Sequence, residues 1–266
     1  MSPSLVYTVF VVTSLLYAGA SIGFFIFISH GHAQAGRVAR GALAGAALAH
    51  LAFLVADAGS TRLGDVRQML TVVSLAIVAA FLASSRKNRL AVLGAFITPV
   101  TLLLFLAAGL GRSVPQVPEN VRSALLPAHV VVNVLGVAAF TLAFAVATAY
   151  LIQERLLRRR QLGGLFTRLP PLDVLDSMGL RLLLIGFPLF TLGSVSGAIW
   201  AAQMEGGFSA TQVLGLVSWA VFGLVLLLRI AAGWQGRRAA IGTLLGFACA
   251  LAVVAGYALR GADGAM

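Results

Sequence analysis

The sequence predicts an all-α integral membrane protein, built as a bundle of eight transmembrane helices. Three observations support this prediction: 60% of the 266 residues are hydrophobic, only 10% are charged, and the mean hydropathy is +0.98. Soluble domains carry roughly a quarter charged residues, so this chain lacks the polar surface that a water-facing fold needs. The composition therefore excludes an ordinary soluble enzyme, a disordered chain and a nucleic-acid-binding domain.

Each element of the bundle is predicted from a long apolar run. A helix that crosses a bilayer needs about 20 mostly apolar residues, and a helix satisfies its own backbone hydrogen bonds in lipid. Eight runs across a single domain, 1–266, are predicted to span, the third extending from near Asp65: 5–28, 38–56, 69–83, 90–110, 128–152, 182–202, 213–231 and 239–259. The first run is not expected to be a cleaved signal peptide, because no Lys or Arg precedes it and the run is too long.

The basic residues predict the orientation of the bundle. Fourteen of the 19 Lys and Arg residues fall in, or within a few residues of, the loops after spans one, three, five and seven. Such an excess marks the cytoplasmic side. Both termini are then expected on the outer, periplasmic or extracellular, side of a bacterial inner (plasma) membrane. The net charge of +11 is explained by membrane topology, and we expect no nucleic-acid partner.

Two connections are long enough to have structure of their own. The outer connection 111–127 contains a segment, 119–126, that is predicted to form a short interfacial helix. The inner connection 153–178 contains the run Arg158–Arg160. This run is expected to touch anionic lipid headgroups; a docking surface for a cytoplasmic partner is the alternative. Glycines four residues apart, such as Gly193 and Gly197, are expected to let helices pack closely.

Ionisable side chains within the spans are the candidate functional residues. His50 lies inside the second span, about 10 Å below its outer boundary at 1.5 Å per residue, and is either a ligand or hydrogen-bonded to a neighbouring helix. His129 opens the fifth span, with Asn133 one turn later on the same face; this histidine is either a ligand or a polar group at a helix entrance. Both lie in the outer half, so they are candidate axial ligands of one haem iron, which takes neutral imidazole.

Other candidates carry weaker signals. Trp200 at the outer end of span six fits an aromatic belt, and the deeper Trp219 is either core or a porphyrin-stacking surface. Met204 is a further candidate iron ligand or a packing residue, and His30 with His32 is expected to be a solvated interfacial pair. The chain has one cysteine, Cys249, and shows no nucleophile–base pair, paired carboxylates, phosphate loop or HExxH motif. We therefore expect that the protein is not an enzyme.

Several sequence blocks resemble the cytochrome c assembly protein family, the haem-handling membrane proteins of c-type cytochrome biogenesis and their HemX-like relatives. The main block reads Ile-Gly-Phe-Pro-Leu-Phe-Thr-Leu-Gly at 185–193 and Ser-Gly-Ala-Ile-Trp-Ala at 196–201. Supporting blocks are Leu-Pro-Pro-Leu-Asp at 169–173, Gly-Trp-Gln-Gly-Arg-Arg-Ala at 233–239, His-Val-Val-Val-Asn at 129–133 and Leu-Gly-Ala-Phe-Ile-Thr-Pro at 93–99.

The resemblance implies non-covalent, b-type haem bound at the outer face and a role in supplying haem to apocytochromes c. His129 matches the family's outward haem-ligand histidine, and His50 matches a histidine within an early span. We expect Asn133, Trp200 and Trp219 to line the pocket. The expected partners are haem and other cytochrome c assembly proteins or apocytochrome c.

The chain also departs from the family pattern. Where the family has a tryptophan-rich haem loop, this chain reads Phe-Ser-Ala-Thr-Gln at 208–212, and a later family histidine falls at Leu227. These departures favour the HemX-like branch and an accessory role. The alternative is a regulatory or scaffolding membrane protein of tetrapyrrole synthesis without bound haem, acting through 153–178. A small-solute transporter has little support, because no inverted repeat is visible.

Overall fold

The computed structural model describes residues 3–57, 66–84, 88–110, 125–201 and 210–263, and within these ranges every regular element is helical. The helices are α1 (Pro3–His30), α2 (Ala33–Asp57), α3 (Val66–Ser84), α4 (Gly94–Leu110), α5 (Leu125–Arg158), α6 (Leu165–Arg168), α7 (Leu172–Ala201), α8 (Ala210–Ala231) and α9 (Arg237–Asp263), with a 3-10 helix, Asn88–Leu93, leading into α4.

Seven of the described helices are long and apolar enough to cross a membrane. These seven are α1 to α5, α7 and α8, and they coincide with the first seven predicted spans. The eighth predicted run lies within the 27-residue helix α9. The predicted class, an all-helical multi-pass membrane protein, is therefore confirmed.

Helix boundaries differ most from the prediction around the connection 153–178. Helix α5 continues to Arg158, where Arg158 pairs with Glu154 one turn earlier at 2.8 Å, and α7 already begins at Leu172. The connection between the two helices is therefore only 159–171. A helix can continue beyond the membrane when its surface there carries charged side chains that water solvates. Helix α3 extends to Val66, as predicted. Residues 119–124 of the predicted interfacial helix, and Met204, lie outside the described residues.

Helices α1 and α2 run antiparallel, as contacts between their side chains show. Phe10 packs on Phe53 with 5.7 Å between ring centroids, while a Cβ on Gly23 would stand 2.9 Å from the Cβ of Ala39; α1 therefore runs opposite to α2. At α1's end, Arg168 in α6 donates a hydrogen bond to the carbonyl of Ile28 at 2.7 Å. This contact places the end of α5 and the end of α1 on the same side.

The two ends of the bundle differ in charge. We call one the arginine-rich end, defined by Arg155, Arg158, Arg159, Arg160, Arg168, Arg237 and Arg238. We call the other the histidine end, where α5 begins and His129 lies. Large apolar side chains such as Leu15, Leu48 and Val55 are exposed between the two ends, as expected for helix faces that contact lipid.

A buried ion pair ties α7 to the loop between α8 and α9 at the arginine-rich end. Arg229, whose side chain is 4% exposed, binds the carboxylate of Asp176 at 2.8 Å, and the backbone N–H of Gly236 donates to the same carboxylate at 2.9 Å. Gly236 has a φ of +67°, and a Cβ there would stand 2.6 Å from the hydroxyl oxygen of Tyr150. Only glycine fits this position without strain.

The buried core has two parts, and α5 contributes to both. The larger part joins α1 to α5 and reaches the start of α7. The smaller part, Phe140, Leu183, Phe222, Val225, Leu226 and Phe247, joins α5 to α7, α8 and α9. Phe140 stacks on Phe222 with 3.8 Å between ring centroids. His50 packs against Tyr17 and Phe105 of the larger part.

Candidate functional site

His50 is completely buried between α1, α2 and α4. Its residue is 0% exposed, and its imidazole lies 4.4 Å, centroid to centroid, from the ring of Phe105. Phe53, on the same helix as His50, packs edge-on against Phe105 at 5.5 Å. The surroundings of this imidazole are therefore largely aromatic.

A hydrogen bond from another helix holds the imidazole of His50. The hydroxyl oxygen of Tyr17 lies 2.8 Å from Nδ1, and the two rings meet edge to face at 86°. Tyr17 is itself 0% exposed. His50 is therefore hydrogen-bonded to a neighbouring helix through Nδ1, which leaves Nε2 as the nitrogen available for a ligand.

The second ring nitrogen of His50, Nε2, is buried and makes no hydrogen bond. The backbone of Thr71 in α3 lies close to the ring, but the contact does not have the geometry of a hydrogen bond to Nε2. A buried polar atom without a partner costs about 1–3 kcal/mol, and such atoms in native proteins commonly mark a ligand or catalytic role.

His129 lies half-buried at the histidine end and is held by α7. The oxygen of Ser196 lies 2.7 Å from Nδ1, and Ser196 donates its one proton to the carbonyl of Leu192 at 2.8 Å. When the serine proton is given to this carbonyl, the hydroxyl oxygen accepts from His129, which places the ring proton on Nδ1 and the lone pair on Nε2. A metal-binding histidine commonly has this arrangement.

Asn133 lies against His129, as the sequence predicts. Its amide nitrogen donates to the backbone carbonyl of His129 at 2.8 Å and stands 3.3 Å from Nδ1 and 3.2 Å from Nε2. Two nearly equal distances are incompatible with a linear bond to either ring lone pair. The amide therefore lies against the ring face and orients the imidazole.

Two glycines of α7 make room for this pair. A Cβ on Gly193 would overlap the carboxamide of Asn133, and a Cβ on Gly197 would stand 3.2 Å from Cε1 of His129. The predicted packing role of these glycines is confirmed. The spacing also serves the candidate site, since it lets α7 approach the polar side chains of α5.

The predicted aromatic lining is placed apart from the histidines. Trp219 donates to the hydroxyl of Thr191 at 2.9 Å and stacks on Phe187 at 5.8 Å. Thr191 and Phe187 lie about 160° and about 120° around α7 from Gly193, which faces Asn133, since successive residues turn by about 100°. Trp200 is in the last turn of α7, and its side chain lies outside the described part.

The structure thus brings His129 and Asn133 together and places His50 in a different group of helices. His50 is held by α1 and α4, whereas His129 is held by α7. The sequence missed Tyr17 and Ser196 because a hydroxyl in an apolar run gives no signal until its distant partner is known. Among the described residues, no group of three or more His, Cys, Asp and Glu side chains could hold a metal ion.

Comparisons with known proteins point to one family. The profile described as Cytochrome C assembly protein matches residues 65–257. The chain is 30% identical over 182 residues to the cytochrome c biogenesis protein CcsA of Mesostigma viride, covering 57% of this chain and 59% of the relative. CcsA of Synechococcus elongatus is 41% identical over 78 residues, 28% of this chain and 24% of the relative. CcsA of Trichodesmium erythraeum is 37% identical over 97 residues, 35% and 28% respectively.

The fold and the buried imidazoles define a class of protein: helical multi-pass membrane proteins that carry histidine side chains within their membrane-spanning helices. The family match covers well over half of the 266 residues, so this chain belongs to the cytochrome c assembly protein family. The predicted family is therefore confirmed, while the HemX-like branch stays a prediction. The chain spans 59% or less of the length of the three relatives named above.

Proposed function

We propose that this protein handles haem during c-type cytochrome biogenesis, with His50 and His129 as axial ligands. Membership of the family supports a role in c-type cytochrome biogenesis, and the two candidate histidines support haem as the bound group. The observation that carries the proposal is the buried Nε2 of His50, which has no hydrogen-bond partner although its ring is held in place through Nδ1. Haem iron supplies an electron-pair acceptor to such a nitrogen.

The two histidines fit haem in separate positions better than in one shared site. The described contacts of His50 come from α1 and α4, whereas those of His129 come from α5 and α7. The chain has four histidines, and the other two lie at the arginine-rich end. Each position therefore has one histidine of this chain, and a second imidazole would come from another molecule.

The residues around each histidine would orient its imidazole ring and shield it from water. Tyr17 and Phe105 fix the plane of the His50 ring and exclude water from it. Ser196 keeps the proton of His129 on Nδ1, and Asn133 supports the ring face. We also propose that the protein is not an enzyme, because the sequence shows no nucleophile–base pair and no paired carboxylates.

For topology we propose eight spans, with the histidine end on the outer side of a bacterial plasma membrane. The charge asymmetry of the loops supports this orientation, and α9 is long enough to be the eighth span, since a spanning helix needs about 20 residues. Single cysteines placed at the arginine-rich end should be labelled by a membrane-impermeant maleimide only after the cells are opened. Labelling of intact cells at that end would contradict the orientation.

The direct test is the haem spectrum of the purified protein in detergent. We expect a Soret band in the natural protein and a reduced or shifted band in His50→Ala and in His129→Ala. His30→Ala and His32→Ala are the matched controls, because they remove exposed imidazoles at the opposite end, and they should leave the band unchanged. An unchanged band in both test variants would remove these histidines as ligands.

We propose an accessory place in the assembly process, because the stretch 208–212 lacks the tryptophan-rich motif. The accessory partners would be other assembly proteins or apocytochrome c. Complementation separates this from a full haem-delivery role: the protein alone should fail to restore c-type cytochromes in cells that lack all other assembly proteins. Restoration by this chain alone would contradict the accessory role.

The second candidate function is a haem-free scaffold of tetrapyrrole synthesis. The observation that favours it is the exposed group of arginines at the end of α5, Arg155, Arg158, Arg159 and Arg160, which could dock an acidic partner. Cross-linking from this group to a soluble partner, together with normal cellular function of a haem-free preparation, would decide for the scaffold.

A further inference from the structure

We infer, resting on the proposed role of His50 as a haem ligand, that Tyr17 is a positioning residue that decides which nitrogen of His50 is able to bind the metal. Its hydroxyl oxygen is 2.8 Å from Nδ1, and both residues are 0% exposed. Among the described residues, Tyr17 is the hydrogen-bond partner that the imidazole has.

The packing prevents the imidazole from escaping this bond. Tyr17 meets the His50 ring edge to face at 5.7 Å, and Phe105 contacts both rings, with centroids 5.8 Å from Tyr17 and 4.4 Å from His50. Rotation of the imidazole would move it into these rings and break its one hydrogen bond. The direction in which Nε2 points is therefore fixed by α1 and α4.

The hydrogen bond can run in either direction, because a phenol both donates and accepts, and a neutral imidazole has one nitrogen of each kind. When Tyr17 donates to Nδ1, the ring proton is on Nε2, which then has no electron pair for a metal. When Nδ1–H donates to the phenol oxygen, Nε2 carries the lone pair. The direction of one bond thus determines whether His50 is a competent ligand.

Counting unpaired groups predicts which direction holds without a ligand. If Tyr17 donates, one group, Nε2–H, is left without a partner. If Nδ1–H donates, both the phenol proton and the Nε2 lone pair are left unpaired. Each buried unpaired group is costly, so the ligand-free protein favours Tyr17 as donor.

Ligand binding at Nε2 selects the reverse direction. The ring proton then moves from Nε2 to Nδ1, the phenol turns its own proton away, and its oxygen accepts from Nδ1–H. The ring and the phenol keep one proton each in both states, so no proton is gained or lost.

Tyr17→Phe tests the inference, because it keeps the aromatic ring and removes only the hydroxyl. The measurements are haemin affinity and midpoint potential of the full chain in detergent, in a His129→Ala background that isolates the His50 position. We expect affinity to rise several-fold, because the ligand-free ring no longer has a hydrogen bond that must reverse, and the bound state no longer leaves a buried phenol proton unpaired. The potential should rise, because an imidazole without this acceptor is less basic.

Tyr7→Phe is the matched control, since it makes the same change on the same helix at an exposed position. It should leave affinity and potential unchanged. In a second background, His50→Ala with His129 retained, Tyr17→Phe should leave the haemin affinity and the midpoint potential unchanged, because Tyr17 acts through His50. A purely structural role of the hydroxyl would instead lower affinity in both backgrounds.

A second measurement needs no variant of Tyr17. Nitrogen NMR of ligand-free, histidine-labelled protein, with the His50 signals identified by their loss in His50→Ala, should show the proton on Nε2 and a hydrogen-bonded Nδ1. A proton on Nδ1 without haemin would overturn the inferred reversal.

The two failures are distinguishable. If His50→Ala removes haemin binding but Tyr17→Phe changes neither affinity nor potential, the positioning role is wrong and the proposed function stands. If His50→Ala leaves haemin binding unchanged in the His129→Ala background, His50 is not a ligand, and the role of Tyr17 is overturned with it.

Discussion

The two candidate histidines are held in contrasting ways. His50 is sealed among aromatic rings and bonded to a phenol that can donate or accept. His129 is half-buried at a helix start and bonded to a serine whose proton is given to its own helix. The Ser196 hydroxyl has two backbone carbonyls of its own helix to donate to, which favours a ring proton on Nδ1 of His129, whereas the ring proton of His50 depends on which way the bond with Tyr17 runs. In the proposed function, the same residue type is therefore a preset ligand in one place and a conditional one in the other.

The contrast also concerns what makes room for each ring. Around His50, large side chains fill the space, so a substitution that changes their volume lowers the stability of the packing. Around His129, Gly193 and Gly197 bring the backbone of α7 close to the polar side chains. Substitutions should therefore damage the two positions by different mechanisms: cavities near His50 and collisions near His129.

The largest expected effect comes from emptying the aromatic surroundings of His50. Phe105→Ala should lower the free energy of unfolding by about 3–5 kcal/mol, the usual cost of removing a buried aromatic ring. Denaturation in sodium dodecyl sulfate measures this loss. Leu103→Ala, an exposed position on the same helix, should cost much less, and an equal loss would contradict the assigned core. Haemin binding through His129, measured with His50→Ala present, should persist.

A steric collision near His129 should lower the free energy of unfolding by less than the cavity near His50. Gly193→Ala places a methyl group into the carboxamide of Asn133 and should destabilise the α5–α7 contact by about 1–3 kcal/mol. Haemin binding through His129 should weaken while that through His50 remains. Gly41→Ala is the control, because a Cβ there has no neighbour within 4 Å. Equal loss in the two variants would show that helix backbone effects, and not this contact, dominate.

Removing a single hydrogen bond at His129 should have a smaller effect on stability. Ser196→Ala should cost about 1 kcal/mol and release the ring proton of His129 from Nδ1, so haemin affinity at that position should fall roughly 10-fold. Ser177→Ala removes a hydroxyl that bonds the Val174 carbonyl of the same helix; it should leave haemin affinity unchanged. Unaltered affinity in Ser196→Ala would mean that the serine does not orient the ligand.

The smallest effect is expected far from both histidines. Glu154→Gln breaks the pair with Arg158, whose side chain is 67% exposed, and such surface pairs contribute about 0.3–0.5 kcal/mol. Stability should change by no more than this and haemin spectra not at all. A change in the spectrum of haemin bound through either histidine would show that the arginine-rich end is coupled to the haemin positions.

The sequence predicted the class of fold well, because apolar runs and helix length obey a single constraint of the bilayer. It also predicted the Asn133–His129 contact, since residues four apart on a helix are neighbours. It placed the end of α5 and the start of α7 too close to the apolar runs, because charge alone does not end a helix. It did not separate His50 from His129, because depth in the membrane says nothing about which helices meet.

By itself the sequence determined the helical membrane class, the family, and which imidazoles lie within the spans, because each of these follows from local composition or a local motif. Only the tertiary structure decided that Tyr17 faces His50 and that Ser196 faces His129. Those contacts join residues 33 and 67 positions apart, and their hydrogen bonds form only when separate helices pack in one particular arrangement.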